Sequence, residues 1–238
     1  MRYIPHILPL IVPVVFWAGY HYYKDRHLPE PISHLLLAFG LGVGSFWLGL
    51  LGYEALGFLN LRYDAYHLAE TNLPGFIIFA ILGIGLVEEL AKMIPFVLVI
   101  IHLKSFNEPI DGIIYASFIA LGFAAVENFQ YLQFATNAEA WARGIAGPVI
   151  HIVFASVWGY YIGTAWLCHR NLIRTIFLSL AGTAFLHGIY DAIVIAKPIM
   201  ALPLAAFLIV AIWIWRLQLI RDLHALPPGP CPPDEDWR

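Results

Sequence analysis

Long apolar runs, broken at fairly even intervals by short polar stretches, set the pattern of this chain. A helix that crosses a bilayer needs about 20 mostly apolar residues. Seven stretches qualify, at roughly 5–23, 32–52, 74–102, 110–134, 144–168, 172–196 and 198–220. The pattern predicts an all-α fold, a polytopic membrane helical bundle of about seven transmembrane helices. No internal repeat and no soluble domain interrupt it, so residues 1–226 read as a single transmembrane domain. Residues 227–238 read as a short polar cytoplasmic tail, proline-rich and ending in acidic residues, and are expected to be disordered. The longest connection, about 53–73, carries Glu54, Arg62, Asp64 and Glu70 among aromatics and has the length for an interfacial helix or a lid.

Composition strengthens this picture. The chain is 61% hydrophobic and 12% charged, whereas soluble domains carry about 25% charged residues. A small soluble globule could not bury that much apolar surface, so the lipid bilayer is the expected surroundings. The net charge of -3 offers no reason to expect a nucleic-acid partner. The first apolar run lacks a small-residue cleavage site and reads as a retained helix. Basic residues set the orientation. Arg2, Arg62, Arg143 and Lys197 fall on one side; Lys24, Arg26, Lys104, Arg170, Arg174, Arg216, Arg221 and Arg238 fall on the other. Four against eight predicts the N-terminus outside and the C-terminus in the cytoplasm. Cys168 and Cys231 then lie on the reducing side and are expected to be free thiols.

The polar residues inside the apolar runs carry the candidate chemistry. A charge at the centre of a bilayer helix costs roughly 2.5–3.5 kcal/mol on insertion scales. The third run nevertheless holds Glu88, Glu89 and Lys92. Residues four apart share a helix face, so Glu88 is expected to pair with Lys92. Glu89, turned about 100° away, is then left free to act on water. Glu127 and Asn128 follow in GFAAVENFQY, one turn after Phe123 and preceded by small residues that let another helix approach. His151 stands alone in the next run, and His187 and Asp191 share a face in FLHGIYDAIV. In that pair the carboxylate can fix the histidine tautomer. At about 1.5 Å per residue, Glu88 lies about 21 Å from its outer helix end, and Glu127, His151 and His187 lie about 10–14 Å from theirs. The groups therefore belong between the midplane and the outer surface.

Glutamates and histidines without a neighbouring serine or cysteine suit peptide hydrolysis by direct water attack, with a base, an oxyanion donor and an acid. The same groups could serve a proton-coupled membrane transporter. A structural role alone leaves the number of costly charges unexplained.

Taken in order, Glu88-Glu89-x-x-Lys92, Phe123-x-x-x-Glu127-Asn128, the isolated His151 and His187-x-x-x-Asp191 resemble the PrsW family of bacterial intramembrane proteases. The resemblance covers about residues 74–196, the expected catalytic core, and its densest stretch is PIDGIIYASFIALGFAAVENFQYL. It implies cleavage of a membrane protein or peptide substrate, within or beside a bacterial cell membrane. Regulated proteolysis, including first-site cleavage of anti-sigma factors, is implied with it. It assigns Glu88, Glu89, Glu127, His151, His187 and Asp191 to catalysis, supported by Lys92, Asn128 and Phe123. The family's metal dependence implies zinc held by His151, His187 and Glu127, with Glu88 or Glu89 as the base. More distantly the chain is similar to the CAAX prenyl endopeptidases and bacteriocin-processing proteins, but Glu127 stands where their pattern has histidine.

Overall fold

The computed structural model describes residues 4–25, 27–132, 136–196, 198–226, 229 and 231. Arg2, Arg26, Lys197 and Arg238 of the charge count lie outside them, as does most of the predicted tail. The described residues form helices α1 (Ile4–Lys24), α2 (Ile32–Phe58), α3 (Ala65–Thr71), α4 (Leu73–Phe79), α5 (Leu86–Leu98), α6 (Pro109–Leu132), α7 (Asn137–Leu167), α8 (Leu172–Ala196) and α9 (Pro198–Ala225). The all-helical expectation holds. Five of these helices, α2, α6, α7, α8 and α9, are long and apolar enough to cross a membrane.

Burial ranks the helices. In the most apolar window of α6, 89% of residues are buried, against 33% in α2 and α8 and 22% in α9. Helix α6 is therefore the axis of the bundle, wrapped by α2 and α7. The outer helices turn large apolar side chains outward, among them Trp47, Leu51, Phe177, Leu178 and Phe207. In water such a surface would drive association; in lipid it needs no partner.

Local sequence explains several boundaries. Helix α7 begins before the predicted 144, because Thr136 and Glu139 form a reciprocal capping box. The segment 53–73 is divided. Helix α2 continues through it to Phe58, and a short α3 follows, capped by Asp64, which accepts from the His67 amide at 2.8 Å. Helix α3 packs against α8.

The predicted single helix over 74–102 is the main departure. It runs as α4, then a π-helical segment Ala80–Gly85, then α5, and ends in a 3₁₀ turn Ile100–His102. Pro95 lies inside α5 and removes one backbone donor. A π segment takes an extra residue into the turn and is common at functional sites. Here its backbone lies directly on α8. A Cβ at Gly85 would stand 2.5 Å from the Ala184 carbonyl oxygen, and one at Gly188 would stand 2.4 Å from Ile81 Cα. Only glycine permits that approach, and it brings α8 close beside the chain leading into Glu88 and Glu89.

Two features occupy the opposite end of the bundle. Asp25, in the α1–α2 connection, is buried and accepts from the Glu30 amide at 2.6 Å; the Tyr115 hydroxyl donates to Glu30. Burial, with Glu30 and Glu108 nearby, pushes the Asp25 carboxyl up to about 7. The second feature corrects an expectation: Cys168, at the end of α7, and Cys231 form a disulfide and are not free thiols. Their separation of 63 residues hides the contact, because nothing in the local sequence brings Cys231 to the end of α7.

Candidate functional site

Four helices, α5, α6, α7 and α8, bring the predicted polar residues into one buried cluster. Glu89 is fully enclosed and saturated. Its Oε1 accepts from Lys92 Nζ at 2.6 Å and from His187 Nδ1 at 2.7 Å; its Oε2 accepts from Trp158 Nε1 at 2.8 Å. The expected pairing of the two glutamates is thus reversed. Lys92 chooses Glu89, three residues back, because that carboxylate also gathers donors from α7 and α8. Glu89 has no lone pair turned to an open face, so it is not the free carboxylate.

Glu88 is the open one. Its Oε1 accepts from the Tyr53 hydroxyl at 3.2 Å. Its Oε2 is buried and has no hydrogen-bond partner. That oxygen lies 4.0 Å from His151 Nδ1 and 3.8 Å from His187 Nε2. A buried carboxylate oxygen without a donor is costly, so this vertex is built for something other than stability.

The partners assign the histidine protons. His187 donates through Nδ1 to Glu89, which turns Nε2 toward Glu88. His151 accepts from Lys92 Nζ on Nδ1 at 3.0 Å and donates through Nε2 to Glu127 Oε2 at 2.6 Å. Each imidazole therefore has a carboxylate on one nitrogen and turns the other toward Glu88. Glu89, and not Asp191, fixes the His187 tautomer. Asp191 sits instead on the Nε2 side, 3.6 Å away.

The remaining expected residues are placed as follows. Glu127 Oε1 accepts from Arg143 Nη2 at 3.2 Å, and the Arg143 guanidinium lies 3.7 Å over the Tyr131 ring. Phe123 lies under Lys92, 4.7 Å from ring centre to Nζ, and packs against the His151 ring at a tilt, centroids 5.2 Å apart. Asn128 does not enter the cluster: its Nδ2 donates to the Arg143 carbonyl at 3.2 Å. Tyr53 and Trp158 are members that sequence reasoning missed, since both look like interfacial aromatics. The one available signal was the spacing of Trp158, two helical turns after His151 and so on the same face.

The donor set fits a metal ion. Glu88, His151 and His187 each offer one ligand atom, all within 4.8 Å of one another. This group differs from the expected set, in which Glu127 was the third ligand; here Glu127 accepts from His151 Nε2 and Arg143. Two histidines and a glutamate are a known hydrolytic zinc set, and carboxylates behind the imidazoles are the usual support. The carboxylates Glu88, Glu89, Glu127 and Asp191 crowd this one site, and among the described residues Lys92 pairs with Glu89 and Arg143 with Glu127.

Comparison with known proteins follows the same line. Residues 30–216 match the PrsW family of intramembrane metalloproteases. The chain is 28% identical to Protease PrsW of Geobacillus kaustophilus, over 92% of this chain and 94% of that one. It is 31% identical to Protease PrsW of Oceanobacillus iheyensis, over 89% and 91%, and 31% identical to that of Clostridioides difficile, over 87% and 84%. No solved structure matches. The apolar helices and bacterial relatives make it a multi-pass integral protein of a bacterial membrane. The family match over most of the chain, with a buried glutamate–histidine cluster at its centre, places this chain in the PrsW family of intramembrane proteases.

Proposed function

We propose that the chain cleaves a peptide bond of a membrane-associated protein by direct attack of water at the Glu88–His151–His187 vertex. The observation that carries this reading is the unpartnered Glu88 Oε2, aimed between two imidazole nitrogens whose opposite sides are held by carboxylates. Glu88, His151 and His187 would hold a divalent ion, with zinc the best match to the donor set. Such an ion supplies a water made acidic enough to be deprotonated near neutral pH and polarises the scissile carbonyl.

The chain's own residues do the rest. Lys92 donates to His151 Nδ1 as the site stands, and its second acceptor, Glu89, lies 2.6 Å away. Holding the ion therefore leaves Lys92 on Glu89 alone. Glu89 and Glu127 keep the imidazoles oriented. Asp191, partly buried beside His187 Nε2, is the carboxylate placed to take the proton from water and pass it to the leaving amine. Phe123 and Phe154 close the apolar walls; Phe154 stacks on His187 at 5.1 Å.

Seven crossings complete the reading, with α1 and the composite α4–α5 added to the five long apolar helices. The charge distribution supports an outside N-terminus. With that orientation the site opens toward the outer surface, which suits regulated cleavage of a membrane-bound regulator such as an anti-sigma factor. The test uses the purified, detergent-solubilised protein. About one zinc per chain is expected by metal analysis, lost in His187→Ala and Glu88→Gln together with cleavage of a membrane peptide substrate. A metal-free preparation with full activity would overturn the metal assignment, and a fully active Glu88→Gln would overturn the vertex. Mass spectrometry of membrane peptides from cells with wild-type or Glu88→Gln protein identifies the substrate.

A further inference from the structure

We propose that Tyr53, on a helix outside the four that carry the charged motifs, is a positioning residue for the reaction: its phenol fixes Glu88 so that the second carboxylate oxygen stays aimed between the two imidazoles. The proposal rests on the reading of Glu88, His151 and His187 as the ligand vertex.

A glutamate on a helix does not aim its own oxygens. The terminal torsion of the side chain is broad, with two nearly equivalent settings. Where one oxygen must face a particular point, a donor has to hold the other. For Glu89 that is done three times over, by Lys92, His187 and Trp158. For Glu88 a single donor is in place among the described residues, the Tyr53 hydroxyl at 3.2 Å on Oε1. Lys92, the cation nearest in sequence, is already divided between Glu89 and His151. The bond from Tyr53 therefore decides which way Glu88 Oε2 points.

The fold makes room for this contact. Helix α2 presses on α5 beside the phenol: a Cβ at Gly52 would stand 2.7 Å from Val87 Cγ1. Gly49, one turn earlier, faces Phe123 and Ala91 at ordinary contact distance. With glycine at 52, the backbone next to Tyr53 comes near enough to α5 for the side chain to reach Glu88. Tyr53 also stands one and a half turns before the end of α2, where the chain leaves for α3. Helix α2 thus contributes an outer-shell residue to a site whose other members all lie on α5 to α8.

The expected effect follows from outer-shell partners in general. Their loss typically weakens metal affinity or activity by about 10–100-fold. Cobalt(II) affinity, read from its absorption on binding to the purified full-length chain, gives a readout that does not depend on cleavage. Tyr53→Phe should weaken cobalt binding and lower kcat by about tenfold or more, with KM and the unfolding temperature unchanged. Tyr53→Leu should do the same, because the hydroxyl and not the ring is responsible. In a Glu88→Asp background, whose shortened carboxylate Tyr53 no longer holds, Tyr53→Phe should add nothing to the loss of cobalt affinity. Wild-type cobalt affinity and kcat in Tyr53→Phe, or fully additive losses in the double variant, would overturn the proposal. If Glu88→Gln loses cobalt while Tyr53→Phe keeps it, the ligand vertex stands and only the role of Tyr53 falls. If Glu88→Gln binds cobalt as wild type does, the vertex and the proposal fall together.

Discussion

Replacing each member of the glutamate pair by glutamine should give opposite results. In Glu89→Gln the change removes the charge opposite Lys92, whose side chain is fully buried. It also puts an amide donor where three donors already converge. Breaking a buried ion pair by removing one partner costs about 3–5 kcal/mol. Against a total stability of about 5–15 kcal/mol, that is a large fraction. For a chain of this size each kcal/mol moves the unfolding temperature by about 2–4 °C, so the drop should be about 6–20 °C. Glu88→Gln is different. The glutamine carbonyl can still accept from Tyr53, and the unpartnered oxygen is replaced by a neutral amide turned toward His187 Nε2. Its unfolding temperature should stay within a few degrees of wild type while cleavage is lost. The assay is thermal unfolding of both variants in the same detergent, beside cleavage of a membrane substrate. Equal unfolding temperatures for Glu89→Gln and wild type, or equal destabilisation of the two variants, would refute the division of roles.

Three other expectations follow. Gly188→Ala should lower the unfolding temperature and activity together, because the added methyl meets Ile81 Cα at 2.4 Å and overpacking costs about 1–3 kcal/mol; wild-type melting in that variant would show that α8 and the π segment separate freely. The Asp25 carboxyl, raised from 3.8 to about 7, holds its proton more tightly in the folded state. Its stabilisation is therefore complete below about pH 4 and lost as pH rises through about 7, so the protection of amides in the α1–α2 connection, relative to their intrinsic exchange rates at each pH, should fall between pH 5 and 8, and Asp25→Asn should abolish that fall. Mass spectrometry of the non-reduced protein, digested after blocking free thiols, should recover Cys168 and Cys231 in one linked peptide; two alkylated cysteines would contradict the closed tail.

The helical class and the meeting of four motifs on four helices were legible because each rests on local pattern, apolar length and i,i+4 spacing. What the sequence hid was long-range. Lys92 is within reach of both glutamates along its helix, and its choice is made by His187 and Trp158, which lie 98 and 69 residues from Glu89. The identity of the third candidate ligand followed from the same misassignment. Once Glu89 is saturated and Glu127 is held by Arg143 and His151, Glu88 is the one of these three glutamates with an oxygen to give. The predicted helix over 74–102 failed for a different reason. Hydropathy averages over a window and cannot register a π turn, here one that ends at Gly85 where the backbone packs on α8. The cysteines fell to the same blindness, since a span of 63 residues carries no local signal.

The burial of Glu88, Glu89 and Lys92 on the thirteen residues of α5 also constrains biosynthesis. A chain made from its N-terminus presents α5 to the insertion machinery before α6, α7 and α8 exist. Alone, three charged residues would oppose partitioning into lipid by on the order of 8–10 kcal/mol on insertion scales. Beyond the Lys92–Glu89 pair on α5 itself and Tyr53 on α2, the partners for those charges arrive with Phe123 on α6, His151 and Trp158 on α7 and His187 on α8. Helix α5 therefore enters the bilayer as part of an assembling group, so membrane integration and completion of the site are one event.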